Sequence, residues 1–115
     1  MRVLLVEDDV DTADLLSLVL ENEGCVVRVA TNAISALREL KRFDPAVALI
    51  DIGLPVIDGY ELAKRIRARS RCRLIAVSSW PRPLDGSYKA YFERYLMKPI
   101  DVGSLREALA AVREE

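Results

Sequence analysis

The run Val47-Ala48-Leu49-Ile50, followed at once by Asp51, restricts this chain more than any other feature. Four apolar residues without polar alternation read as a strand covered on both faces, the pattern of a parallel sheet between helices. Gly53, Pro55 and Gly59 then interrupt the run, and helical spacing begins. A buried strand would thus carry Asp51 to its C-terminal end, where ligands bind in open α/β sheets. The competing reading is an Asp that only caps a turn, a common place for that residue.

The rest of the chain repeats this rhythm. Arg2 to Val6 reads as a buried strand ending in Glu7-Asp8-Asp9. Asp9 or Asp11 can cap the helix that follows, whose expected apolar stripe is Thr12, Leu15, Leu16 and Val19, stopped by Gly24. Cys25 to Ala30 is the second strand. Asn32 can cap a helix with Ala33, Ala36, Leu37 and Leu40 on one face. The third strand is Ala46 to Asp51, and Asp58-Gly59 opens a helix with Gly59, Leu62, Ala63 and Ile66 inward. Arg73 to Ser78 and Arg94 to Met97 are the fourth and fifth strands, and Asp101 can cap a last helix carrying Val102, Leu105, Leu109 and Val112. Strands alternating with helices indicate a parallel sheet with helices on both faces. Between Trp80 and Phe92 the rhythm breaks. A helix is due there, but Pro81, Pro83 and Gly86 fall inside it, leaving one or two turns around Leu84, Tyr88, Tyr91 and Phe92.

With 115 residues, 51% of them hydrophobic, one domain spanning 1–115 is expected. A net charge of -1 gives no global attraction to nucleic acid or membrane. No apolar run approaches the ~20 residues that span a bilayer, and acids interrupt the apolar start, so a cytoplasmic location is expected. The chain has no His, which removes Ser-His and Cys-His nucleophile pairs and most zinc sites. Cys25 and Cys72 read as reduced thiols. Any metal chemistry falls to carboxylates, which suit a hard cation such as Mg²⁺.

In a parallel sheet the strand ends share one edge. That edge would collect Glu7 and Asp8, Asp51, Ser78 and Ser79, and Lys98 before Pro99. Three close carboxylates repel and raise one another's pKa unless a cation sits among them. A cation with a lysine is an arrangement for a transferring phosphoryl group, and an aspartate can be its nucleophile. Asp51 is the best candidate, with Glu7 and Asp8 on the metal and Ser78 donating to a phosphoryl oxygen. The bland alternative is a surface ion-pair network.

Val6-Glu7-Asp8-Asp9, the Asp51…Pro55…Gly59 segment, Val77-Ser78-Ser79 and Tyr95-Leu96-Met97-Lys98-Pro99 together resemble a response-regulator receiver domain over nearly the whole chain. The resemblance implies a flavodoxin-like, doubly wound sheet of five parallel strands in order 2-1-3-4-5 with five helices, the fourth short or irregular. That order puts Cys25 and Cys72 about 14 Å apart at ~4.8 Å per strand, beyond the roughly 7 Å a disulfide tolerates. It implies that Asp51 accepts a phosphoryl group from a sensor histidine kinase or histidine phosphotransfer protein, so that the domain catalyses its own phosphorylation and dephosphorylation without being a conventional enzyme. It implies Mg²⁺ held by Asp8, Asp51 and the Gly53 carbonyl, with Glu7 acting through water. Lys98 would pair with phosphoryl oxygens, the Lys98-Pro99 bond would be cis, and Ser78 and Tyr95 would form the switch. The output face would comprise the fourth helix, fifth strand and last helix, with a phosphorylation-dependent homodimer left open and no direct contact with nucleic acid or membrane.

Several positions depart from the family. Ser78 stands where Thr is usual, and Ala90-Tyr91 where two small residues are usual. Gly53 and Trp80 occupy the positions that tune water access and phosphoryl lifetime. Trp80 is expected to shield the group, the alternative being loose surface packing. For Tyr95 the alternative is an ordinary half-buried strand aromatic. Lys64, Arg65, Arg67, Arg69, Arg71 and Arg73 read as a solvated helix end rather than a binding patch. A different function class stays open: a pseudo-receiver that binds proteins without phosphorylation. Gly53 disfavours a phosphohydrolase with a second Asp there, and the acidic pair disfavours flavin.

Overall fold

A computed structural model describes residues 1–113. Five strands, β1 (Arg2–Val6), β2 (Val26–Ala30), β3 (Val47–Asp51), β4 (Arg73–Ser78) and β5 (Arg94–Met97), form one parallel sheet in the order β2-β1-β3-β4-β5. The helices are α1 (Val10–Asn22), α2 (Ala33–Phe43), α3 (Gly59–Arg67) and α4 (Val102–Arg113). This is the flavodoxin-like, doubly wound arrangement expected. The fourth of the five expected helices, foreseen as short or irregular, is reduced to a 3₁₀ turn, Ser87–Ala90, and the fifth is α4.

The sheet divides the core by strand alternation. Leu4, Val6, Ala48, Ile50, Leu74 and Ala76 face α2 and α3. Val3, Leu5, Val47, Leu49, Ile75 and Val77 face α1 and α4. All five residues of β3 are buried, which makes it the central strand. Each buried Leu or Ile contributes on the order of 1.5–3 kcal/mol. Asp9 caps α1 by accepting from the Thr12 amide, and Asn32 and Ser35 form a capping box on α2. Cys25 and Cys72 are free and buried, and burial pushes the Cys72 thiol up to about 12.

Two stripes lie elsewhere than expected. On α1 the buried residues are Ala13, Leu16 and Leu20, while Leu15 is 64% exposed. On α4, Ala108 is buried and Val102 is exposed. Both helices carry more apolar residues than one face can hold, so periodicity alone does not choose the face. Phe43 completes the buried face of α2, and Leu37 is only half-buried.

Packing anchors the C-terminal end of the 79–92 segment. Tyr88 and Phe92 are buried under α3, with the Phe92 ring edge-on to Tyr60 at 5.7 Å. Leu84, expected on an amphipathic turn, is fully exposed. Pro81 and Pro83 lack the amide a helix needs, and Pro disfavours helical backbone before it.

Candidate functional site

The C-terminal edge of the sheet brings Glu7, Asp8 and Asp51 together. One carboxylate oxygen from each lies within 4.8 Å of the others. Glu7 and Asp51 are buried and Asp8 is exposed. Their placement follows from the register: Val6 pairs with Ile50, so the residues after β1 and at the end of β3 emerge side by side.

Two contacts set the back of the crevice. The Gly53 amide donates to Asp51 Oδ1 at 3.0 Å, and the Asp9 amide donates to Glu7 Oε2 at 3.1 Å. Gly59 lets α3 start against the end of β3. A Cβ there would sit 2.6 Å from Ile52 Cα and 2.7 Å from the Asp51 carbonyl oxygen, a clash with backbone. Between them Val56 adopts φ +69°, a conformation costly for a β-branched residue, about 1–3 kcal/mol. The sequence carries no signal for that strain.

Lys98 closes the crevice. Its amide donates to the Ser78 carbonyl at 2.8 Å, continuing the β4–β5 pairing, and the Lys98-Pro99 bond is cis. Its ammonium donates to Asp51 Oδ2 at 3.3 Å and forms a close ion contact, without hydrogen-bond geometry, with Glu7 Oε1. Burial raises the Glu7 pKa and Asp51 adds to the effect, while Lys98 opposes both. Burial pulls the Lys98 pKa down, but Glu7 and Asp51 outweigh it and leave the ammonium held above its usual value.

The three carboxylates fit Mg²⁺. Two buried acids at one point need positive charge, and Lys98 supplies only one ammonium for them. Carboxylate oxygens with an open side to solvent at Asp8 suit a cation that keeps several waters.

Ser78, buried at the end of β4, accepts from the Trp80 amide at 3.0 Å. Tyr95, half-buried on β5, donates from its hydroxyl to the carbonyls of Trp80 at 2.9 Å and Pro81 at 3.3 Å. Its ring meets Tyr88 edge-on at 5.5 Å. Tyr95 thus ties β5 to the start of the 79–92 segment. Trp80 itself is 72% exposed.

One feature of the site escaped sequence reasoning. A groove of about 540 Å³ opens between α1 and α4 beside Lys98, lined mainly by apolar side chains including Leu15, Val19, Ile100 and Val102. Its signal was the surplus of apolar residues on those two helices, which read as core.

Comparison with known proteins agrees with this geometry. The family profile described as response regulator receiver domain matches residues 3–110. An uncharacterised 14.6 kDa protein of Leptolyngbya boryana is 40% identical over 106 residues, 88% of this chain and 81% of that protein. Sensory transduction protein RegX3 of Mycobacterium tuberculosis is 34% identical over 113 residues, 96% of this chain, which spans only 48% of RegX3. Among solved structures, a receiver domain from Methylobacillus flagellatus superposes with a TM-score of 0.90 at 29% identity, covering 97% of this chain and 98% of that one. The receiver domain of a sensor histidine kinase from Pseudomonas aeruginosa, with magnesium coordinated in its active-site cleft, does so with 0.88 at 28% identity, covering 99% and 98%.

Proposed function

The chain belongs to the response regulator receiver domain family, and from that premise we propose that Asp51 is its phosphoacceptor, charged from a phosphohistidine on a sensor histidine kinase or histidine phosphotransfer protein. The observation that carries this reading is the crevice itself: three carboxylate oxygens within 4.8 Å, with the Lys98 ammonium against two of the three acids.

Asp8 and Asp51, with the Gly53 carbonyl, would hold Mg²⁺, and Glu7 would act through water. When bound, the cation supplies positive charge for the phosphoryl oxygens. The step is an in-line displacement. A carboxylate oxygen of Asp51 forms a bond to phosphorus, and the phosphorus–nitrogen bond of the donor breaks. The electron pair leaves with the imidazole nitrogen. Lys98, already aimed at Asp51 Oδ2, moves its charge onto a phosphoryl oxygen. The Ser78 hydroxyl donates to another. The Asp51 amide partner, Gly53, keeps the unreacting carboxylate oxygen in place. The α1–α4 groove gives the donor protein an apolar seat beside Lys98.

Phosphorylation adds negative charge and acceptor oxygens at Asp51. Ser78 is drawn to them, which changes what the Trp80 amide rests on and so loosens the Tyr95 tie to Trp80 and Pro81. The face of the 79–92 segment and β5 then shifts in population between two states. Trp80, two residues beyond Ser78, is 72% exposed and would have to fold over the crevice to shield the phosphoryl group from water.

The test is incubation with Mg²⁺ and acetyl phosphate, followed by intact mass and site mapping. One phosphoryl group on Asp51, absent without Mg²⁺ and absent in Asp51→Asn, is the expected result. No mass gain at saturating metal would leave the protein a phosphorylation-independent binding module.

A further inference from the structure

We propose that the hollow at the opposite edge of the sheet, beneath the starts of β4 and β5, binds a compact anion bearing several phosphate charges. The basic stretch read from sequence as a solvated helix end does not stay on one helix. The α3 helix ends at Arg67, so Arg69, Arg71 and Arg73 lie beyond it. Lys89 and Arg94, from the far side of β4, reach the same place. Among the described residues, a hollow of about 600 Å³ is lined by Arg67, Arg73, Lys89 and Arg94 against one carboxylate, Glu93, with Tyr91 in its wall. Glu93 pairs with Arg73. Among the described residues no carboxylate forms an ion pair with Arg67, Lys89 or Arg94.

The chemistry of these cations selects the ligand. Three are guanidinium groups, whose fixed forks match phosphate oxygens two at a time. They converge on one hollow instead of running along a track, and no exposed aromatic ladder accompanies them. An extended nucleic acid strand needs both. The ligand must also compete with Glu93 for Arg73, which a doubly charged phosphate does better than a single carboxylate. The hollow and Ser78 lie at opposite ends of β4, roughly 17 Å apart at ~3.3 Å per residue. The inference therefore stands apart from the phosphoacceptor reading.

The test is calorimetric titration of the whole chain with inorganic pyrophosphate in metal-free buffer. Saturable binding of one pyrophosphate is expected, weakened about tenfold or more by Arg67→Glu with Arg94→Glu. Glu93→Gln, which removes a carboxylate that competes for Arg73, should tighten it. Arg38→Glu with Arg42→Glu, an equal change of charge on α2, and Asp51→Asn should leave it unchanged. Absence of saturation would overturn the proposal. So would equal weakening by the Arg38→Glu, Arg42→Glu pair, tighter binding of citrate, or tighter binding of a single-stranded oligonucleotide.

Discussion

Two stretches that meet at the same edge of the sheet are built in opposite ways. The β3–α3 crossing, Val47 to Gly59, is held at both ends by burial and backbone, with an exposed turn between. Every residue of β3 is buried, and Gly59 is pressed against the backbone of Asp51 and Ile52. The 79–92 segment is held at points: the Ser78 hydroxyl at its start, the Tyr95 hydroxyl on two carbonyls, and the Tyr88 and Phe92 rings under α3. A nucleophile must stay where it is, whereas a readout must be able to leave. Few buried contacts and side-chain ties to backbone carbonyls are the marks of a region that opens locally at low cost.

Breaking the segment's anchor should have the largest effect. Phe92→Ala removes a side chain that is 1% exposed, and urea denaturation should show a loss of about 3–5 kcal/mol. Leu84→Ala, in the same segment but fully exposed, should change stability by less than about 0.5 kcal/mol. Equal losses would mean that the segment packs as a unit.

Lys98→Met sharpens the other side of the comparison. It leaves Glu7 buried without its cation, which raises a carboxyl pKa that burial already holds up. A carboxyl whose folded pKa lies above its unfolded value contributes stability at low pH and loses it as pH rises through the folded value. In metal-free buffer near about pH 7 the variant should lose roughly 1–3 kcal/mol. Part of that loss should return as pH falls towards the ordinary Glu value of 4.5. Urea midpoints across that range would measure it. A loss independent of pH would place the effect in packing of the lysine stem.

Tyr95→Phe is a smaller cut. It keeps the ring against Tyr88 and deletes the hydroxyl that holds Trp80 and Pro81. About 0.5–1.5 kcal/mol is expected, with faster amide exchange confined to residues 79–86. Exchange that quickens through β3 as well would show that the two stretches are not separate.

The same contrast explains what could be read from sequence. The strands at 73–78 and 94–97, the Asp9 and Asn32 caps and the inward face of α3 follow from apolar runs and cap chemistry, which are local signals. Strand ends then place Glu7, Asp8, Asp51 and Lys98 on one edge. The face of α1 was not legible, because Leu15, Leu16, Leu18, Val19 and Leu20 offer several stripes and only the sheet selects among them. Leu15 and Val102, expected in the core, line the groove beside Lys98. The 79–92 segment could be read only in part: its prolines exclude a full helix, and the short turn with Tyr88 and Phe92 inward follows from the pattern, but Leu84 does not join them. Its path depends on Tyr88, Phe92 and the Tyr95 hydroxyl, contacts distant in sequence. Lys98, which the family resemblance pairs with a phosphoryl group, contacts Glu7 and Asp51.

The most direct test of this division of labour is amide hydrogen exchange, residue by residue, before and after phosphorylation with acetyl phosphate and Mg²⁺. Exchange should change in residues 79–97 and stay unchanged through β3 and the start of α3, apart from Asp51 to Gly53. A response spread evenly over the sheet, or confined to α1 and α2, would contradict the account.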